Sequence, residues 1–124
     1  MHIDTISPMT RAYLICALWS SSDNSDEQGG DPLDDNYDLE DIAPESVRQA
    51  ESDCARFKQA NEVDLVEWDE EQAGHAFWLT RNHHGAGFWD RGKGAAGRRL
   101  TTAALQYKEL CPVVGDDGKI YFEG

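Results

Sequence analysis

The stretch from Gly74 to Gly94, GHAFWLTRNHHGAGFWDRGKG, constrains the fold more than any other part of the chain. It holds Phe77, Trp78, Phe88 and Trp89 together with His75, His83 and His84, and it passes from an apolar helical pattern into a loop punctuated by glycines. Large aromatics in such a loop bury their surface only if the loop folds back onto a core. The stretch therefore reads as the piece that closes the fold. Its structural residues are His75, Trp78, Arg81, Asn82, His84, Gly85, Gly87, Trp89, Asp90 and Arg91. Gly85 and Gly87 admit backbone conformations closed to other residues. Arg81 or Arg91 is expected to pair with Asp90 or with a helix end.

The rest of the chain supplies elements for that loop to pack on. Ser7-Pro8 is a helix start, serine as N-cap and proline at the first helical position, and Ala12, Ile15, Cys16 and Trp19 then line one face, widened by Leu14 and Leu18. Ser20 to Ser22 ends this helix. Pro44 and Glu45 open a second, in which Val47, Ala50, Cys54, Phe57, Asn61 and Leu65 follow at three- and four-residue steps while Glu51, Asp53, Lys58 and Glu62 face outward. Asp69 with Gln72 three residues on predicts a third helix ending at Asn82. Its Ala73, Ala76, Phe77 and Thr80 point one way and Gly74 and Trp78 another. Ala95 to Leu110 reads as a fourth, with Leu100, Ala103, Ala104 and Tyr107 inward. Then the period changes to two: Pro112-Val113-Val114 and Lys119-Ile120-Tyr121-Phe122 flank Gly115-Asp116-Asp117-Gly118, a hairpin signal. A lone hairpin is marginal and must pack on the helices. The expected fold is α+β and mainly helical, with four helices and a C-terminal β-hairpin in a single domain, 1–124.

Charge divides the chain. Through Glu71 there are nineteen acids against Arg11, Arg48, Arg56 and Lys58; from Gln72 onward there are five acids against seven bases. The whole excess of the net charge of -13 thus lies in the first part. Its densest region, at about 21–43, is SDNSDEQGGDPLDDNYDLED and its surroundings, which predicts an acidic loop anchored by Leu33, Tyr37, Leu39 and Ile42. Such a field repels DNA, RNA and anionic lipid, and attracts a basic protein surface. Rows of carboxylates imitate the phosphate array of a nucleic acid, and the residues available in the loop are Asp23, Asp26, Glu27, Asp31, Asp34, Asp35, Asp38, Glu40 and Asp41. Glu51, Asp53 and Glu62 extend them along the second helix.

Chemistry is less well served. His75, His83, His84, Asp90 and Cys111 include metal-ligating types but lack the paired short spacings of structural zinc sites. The loop HHGAGFWDRGKG matches neither phosphate-binding glycine pattern. Asp34, Asn36, Asp38, Glu40 and Glu45 fall at calcium-loop spacings, but Leu39 stands where that loop needs glycine. No nucleophile elbow accompanies any serine or cysteine. These readings lead to no metal, no cofactor and no enzyme. Cys16, Cys54 and Cys111 read as small buried hydrophobes of a reducing compartment rather than a disulfide set. The N-terminus lacks a basic region followed by a long apolar run, so no signal peptide is expected, and Ala12 to Trp19 falls short of the roughly 20 residues of a membrane span.

The combination of AYLICALWSSSD, DPLDDNYDLEDIAPES, EEQAGHAFWLTRNHHGAGFWDRG and VVGDDGKIYF resembles a widespread family of small acidic proteins encoded by tailed bacteriophages and prophages. The resemblance spans nearly the whole chain, the motif HxFWLTRNxHGAGFWDRG is specific to it, and family members commonly carry glycine at the position of His83. The resemblance implies a phage or prophage context and the host bacterial cytoplasm, with no defined activity. Small acidic phage proteins of this kind often bind host machinery, as anti-CRISPR and anti-restriction inhibitors do. The expected function is therefore a non-enzymatic accessory viral protein that binds and inhibits a basic, nucleic-acid-binding host protein, as a DNA mimic. The alternatives are a small metal-dependent hydrolase using His75, His84 and Asp90, and a structural or regulatory phage component acting as a homo-oligomer.

Overall fold

The computed structural model describes residues 6–21, 33, 37–66, 68–83, 88 and 94–123. Across them run α1 (Pro8–Ser20), α2 (Pro44–Ala60), α3 (Glu70–Arg81), α4 (Gly94–Leu105), β1 (Cys111–Val114) and β2 (Ile120–Glu123). Four helices and an antiparallel two-stranded sheet make this the mainly helical α+β architecture expected.

The helix starts follow local chemistry. Ser7 Oγ accepts the Thr10 amide at 3.1 Å and Pro8 occupies the first turn of α1, while Asp69 Oδ1 accepts the Gln72 amide at 2.7 Å at the start of α3. Asn82 ends α3 as predicted. α2 stops at Ala60, earlier than its apolar period suggests: Asn61 leaves helical geometry at φ -121, ψ 24, and its Nδ2 caps the Phe57 carbonyl at 2.9 Å beside the last helical amide bond. Leu65 still reaches the core from the turn beyond.

α4 also ends early, at Leu105 rather than Leu110. The carbonyl of Lys108 is taken by Arg81 and the amide of Leu110 donates to Asn82 Oδ1 at 2.7 Å. The end of α3 thereby draws residues 108–110 away from helical pairing and leads them into β1.

α3 is the centre of the packing. From Ala76 to Arg81 every residue is buried, so both faces expected of it are interior, one against α1 and the other toward α4. A Cβ on Gly74 would lie 2.2 Å from the Met9 carbonyl oxygen, so glycine is what lets α1 and α3 approach this closely. That approach also decides which side of α1 is buried. Met9, Tyr13, Leu14, Cys16, Ala17 and Leu18 go in, whereas Ile15 and Trp19, expected in the core, are exposed. A helix apolar nearly all round has no period by which sequence can choose its buried side; the partner helix chooses.

The core is a run of aromatic rings. Phe57 stacks on Phe77 at 4.3 Å, Phe88 lies 5.6 Å from Phe57 and 5.0 Å from Trp68, and Tyr107 meets Phe77 edge-on at 4.9 Å. Phe88 is fully buried, and its amide donates to Thr80 Oγ1 at 3.1 Å. At this residue the glycine-aromatic stretch does fold back on the core. The hairpin pairs Cys111 with Glu123 and Val114 with Ile120, and it docks through buried Ile120 and through Phe122, whose amide donates to Ser46 Oγ at 3.0 Å. Cys16 and Cys54 are buried; Cys111, expected to be, is exposed because it begins an edge strand. No helix among the described residues is long and apolar enough to cross a membrane.

Candidate functional site

Two groups of charged side chains stand out, one on the surface and one inside. The surface group begins at the anchored end of the acidic segment. Asp38 and Asp41 cap a single 3-10 turn, Leu39–Asp41: Asp38 Oδ1 accepts the Glu40 amide and Asp41 Oδ2 accepts the Asp38 amide, both at 2.9 Å. The turn is fixed by its own acids, leaving Glu40 projecting from it and exposed. Leu33 and Ile42 are buried and Tyr37 and Leu39 pack against the core, so the four anchors expected of this segment all serve as such.

Ile42 then pairs in parallel with Ile120, and the Ala43 amide donates to the Ile120 carbonyl at 2.8 Å. This attachment fixes the described end of the segment, Asp38 to Asp41, at the start of β2, in the hairpin that carries Asp116, Asp117 and Glu123. Glu45, in the first turn of α2, is close enough to Tyr121 to push its phenol upward. The larger cause of that shift is Asp117 Oδ2, which accepts the Tyr121 hydroxyl at 2.6 Å. The same bond, with the Lys119 amide, holds Asp117 below the usual carboxylate range. The Ile42–Ile120 bridge and the Glu45–Tyr121–Asp117 contacts thus join the Asp38–Asp41 turn and the start of α2 to the hairpin, whose other acids are Asp116 and Glu123. The hairpin acids were not counted among the site residues from sequence, since only the Ile42–Ile120 pairing joins them to the acidic segment. Asp23, Asp26, Glu27, Asp31, Asp34 and Asp35 lie outside the described residues.

The interior group corrects one expectation. Asp53 does not face outward: it is 4% exposed and accepts from Gln49 Nε2 at 2.8 Å, Arg56 Nη2 at 2.9 Å and Arg81 Nη1 at 2.9 Å. Arg81 is equally buried and bonds Asp53, the Tyr13 hydroxyl at 3.1 Å and, twice, the Lys108 carbonyl; its expected partner Asp90 lies outside the described residues. Its guanidinium lies over Phe77 and Tyr107, 5.6 and 5.3 Å from their centroids. Every element of the helical core except α4 itself is tied to this one side chain. Burial pushes the Tyr13 phenol up, a shift that the Arg81 charge partly opposes. The signal for Asp53 was available: it stands three residues after Ala50 and four before Phe57, on the edge of the buried stripe.

The remaining candidates from the sequence have structural partners. Trp78 is buried, with Nε1 donating to Ser20 Oγ at 2.9 Å. His75 is half-buried beside Trp19, ring centroids 6.3 Å apart, and its carbonyl accepts the Cys16 thiol. Asn82 Nδ2 donates to the Trp78 carbonyl at 3.0 Å. His83, at φ 60, places Nε2 3.2 Å from Glu109 Oε1 on the surface. His84, Gly85, Gly87, Trp89, Asp90 and Arg91 lie outside the described residues.

Among the described residues no three His, Cys, Asp or Glu side chains are grouped to hold a metal ion. A groove of about 380 Å³ runs between the start of α1 and α2, floored by Met9 and Cys54 and rimmed by Glu51, Lys58 and Glu62. Burial pushes the Cys54 thiol up, as it pushes Cys16 up to about 12, so both stay protonated and unreactive. Lys58 is engaged with Glu70 at 2.5 Å. The described surface carries exposed carboxylates at the Leu39–Asp41 turn, the start of α2 and the hairpin.

In comparison with protein-family models, curated proteins and solved structures, no match to this chain was found.

Proposed function

We propose that this chain is a phage-encoded, non-enzymatic accessory protein that binds a basic, nucleic-acid-binding protein of the host cytoplasm and inhibits it as a DNA mimic. The observation that carries the reading is the Ile42–Ile120 pairing, which joins the acidic turn Asp38–Asp41 to the hairpin that carries Asp116 and Asp117. A DNA-binding channel is lined by Lys and Arg that release counterions when phosphates arrive; carboxylates held in a fixed array substitute for those phosphates. Glu40, Glu45, Asp116 and Glu123 make no structural hydrogen bond among the described residues and are the side chains that would meet such a channel. Asp38 and Asp41 act instead by keeping Glu40 in place. The anti-defence class, anti-CRISPR or anti-restriction, follows from the resemblance to small acidic phage proteins and from this charge arrangement.

The test is capture of tagged protein with its partners from a bacterial lysate known to contain defence complexes, at low and at high salt. The expected result is a DNA-binding protein retained at low salt and released at high salt. Capture that ignores salt, or no specific partner, rejects the reading.

A further inference from the structure

The turn of the hairpin carries the only Asp-Gly pair in the sequence, Asp117-Gly118, and no Asn-Gly pair occurs. Such a pair is chemically labile, because glycine has no side chain to hinder attack of its amide nitrogen on the preceding carboxyl. Attack forms a bond from the Gly118 nitrogen to Asp117 Cγ, and the carboxyl hydroxyl leaves with the amide proton as water, giving a five-membered succinimide. Water then opens the ring. Addition at the side-chain carbonyl restores aspartate; addition at the main-chain carbonyl leaves the chain running through the side chain, as isoaspartate. Water is the only co-reactant, and both residues are exposed to it.

The fold cannot dispense with the glycine. Gly118 stands at φ 79, in the left-handed region, where its amide donates to the Gly115 carbonyl at 3.0 Å and the Gly115 amide donates to the Lys119 carbonyl at 2.7 Å. What the fold does instead is hold the carboxyl. Asp117 Oδ1 accepts the Lys119 amide at 3.0 Å and Oδ2 accepts the Tyr121 hydroxyl at 2.6 Å. Attack makes Cγ tetrahedral and expels one of these oxygens, so the ring cannot close with both held. The two bonds, Tyr121 first, also favour the ionised carboxylate and keep Asp117 below its usual range, whereas cyclisation starts from the protonated acid, whose hydroxyl can leave.

We propose that Asp117-Gly118 is a latent isoaspartate site and that the Tyr121 hydroxyl keeps it dormant. Isomerisation would preserve the negative charge but add a main-chain carbon inside the loop that the Gly118–Gly115 and Gly115–Lys119 bonds close, opening the hairpin turn. The proposal concerns backbone chemistry and does not rest on the function proposed above.

The test is to age the full chain in warm, mildly acidic buffer made with heavy-oxygen water, digest it, and read residue 117 by electron-transfer mass spectrometry. That method separates isoaspartate from aspartate, and each passage through the ring leaves one heavy oxygen. Tyr121→Phe should form isoaspartate about three- to tenfold faster than the wild type, the worth of one hydrogen bond to a carboxylate, with its Gly115 amide still protected from hydrogen exchange. The wild type unfolded in urea should be faster still. Equal rates in folded wild type and Tyr121→Phe overturn the proposal, as does a folded wild type that isomerises as fast as the unfolded chain. So does a faster Tyr121→Phe whose Gly115 amide has lost protection, since the closed hairpin and not the hydroxyl would then be the guard.

Discussion

Asp53 and Arg81, 28 positions apart in the chain, meet in the core through a 2.9 Å ion pair with their side chains 5% and 4% exposed. A buried pair gains little over two apolar residues of the same shape, but removal of one partner leaves the other charged and without water. Arg81 also binds Tyr13 and the Lys108 carbonyl, so its loss removes four hydrogen bonds and frees three groups at once.

Asp53→Ala and Arg81→Leu should therefore each destabilise the protein by about 3–5 kcal/mol. The double variant Asp53→Ala with Arg81→Leu should lose less than the sum of the singles, because no lone charge remains. Urea denaturation of all four proteins measures this. Losses within about 1 kcal/mol in both single variants would place the pair in water and contradict its burial.

Gly74→Ala puts a methyl group 2.2 Å from the Met9 carbonyl oxygen, which is backbone and cannot rotate away. The helices must separate, at a cost of at least about 1–3 kcal/mol. A melting temperature equal to that of the wild type would mean that α1 and α3 do not approach as described.

His83 sits at φ 60, in the left-handed region that glycine enters without cost. His83→Gly should raise stability by about 1 kcal/mol. The exposed contact with Glu109 that it removes contributes little. A decrease in stability on denaturation would show that the histidine does more than close the turn.

The Asp117–Tyr121 bond shifts both groups, and the signs differ. Asp117 titrates below its ordinary 3.8 in the folded protein, so its contribution is full above pH 3.8 and disappears as pH falls through the lowered value. Tyr121 titrates above its ordinary 10.0, so its contribution is full below pH 10.0 and disappears as pH rises through the raised value. Tyr121→Phe should return the Asp117 carboxyl towards 3.8, followed by carbon-detected NMR titration. An unchanged titration would assign the shift to the Lys119 amide alone.

Local signals in the sequence located most elements because they act locally. Ser7-Pro8, Asp69 with Gln72, and the Gly115–Gly118 turn each satisfy their own backbone, and each stands where expected. The ends of α2 and α4 were less legible, since Asn61 and the Arg81–Lys108 contact terminate helices whose apolar period runs on. Ile15, Trp19 and Asp53 were assigned to the wrong side for a related reason: a residue at the edge of an apolar stripe is turned in or out by the neighbouring helix. For the candidate site, sequence supplied Asp38, Glu40 and Asp41 but not Asp116, Asp117 and Glu123, which join them only through a bridge spanning most of the chain.

The central claim is that exposed carboxylates of this face meet a basic partner. It is tested most directly by the affinity of the captured host protein for wild type and for the variant Glu40→Gln, Glu45→Gln, Asp116→Asn, measured side by side at low salt. All three side chains are exposed, so the variant should melt like the wild type. Three rim charges together should be worth about tenfold in affinity, with a shallower salt dependence in the variant. Equal affinity and equal salt dependence in the two proteins would contradict the claim.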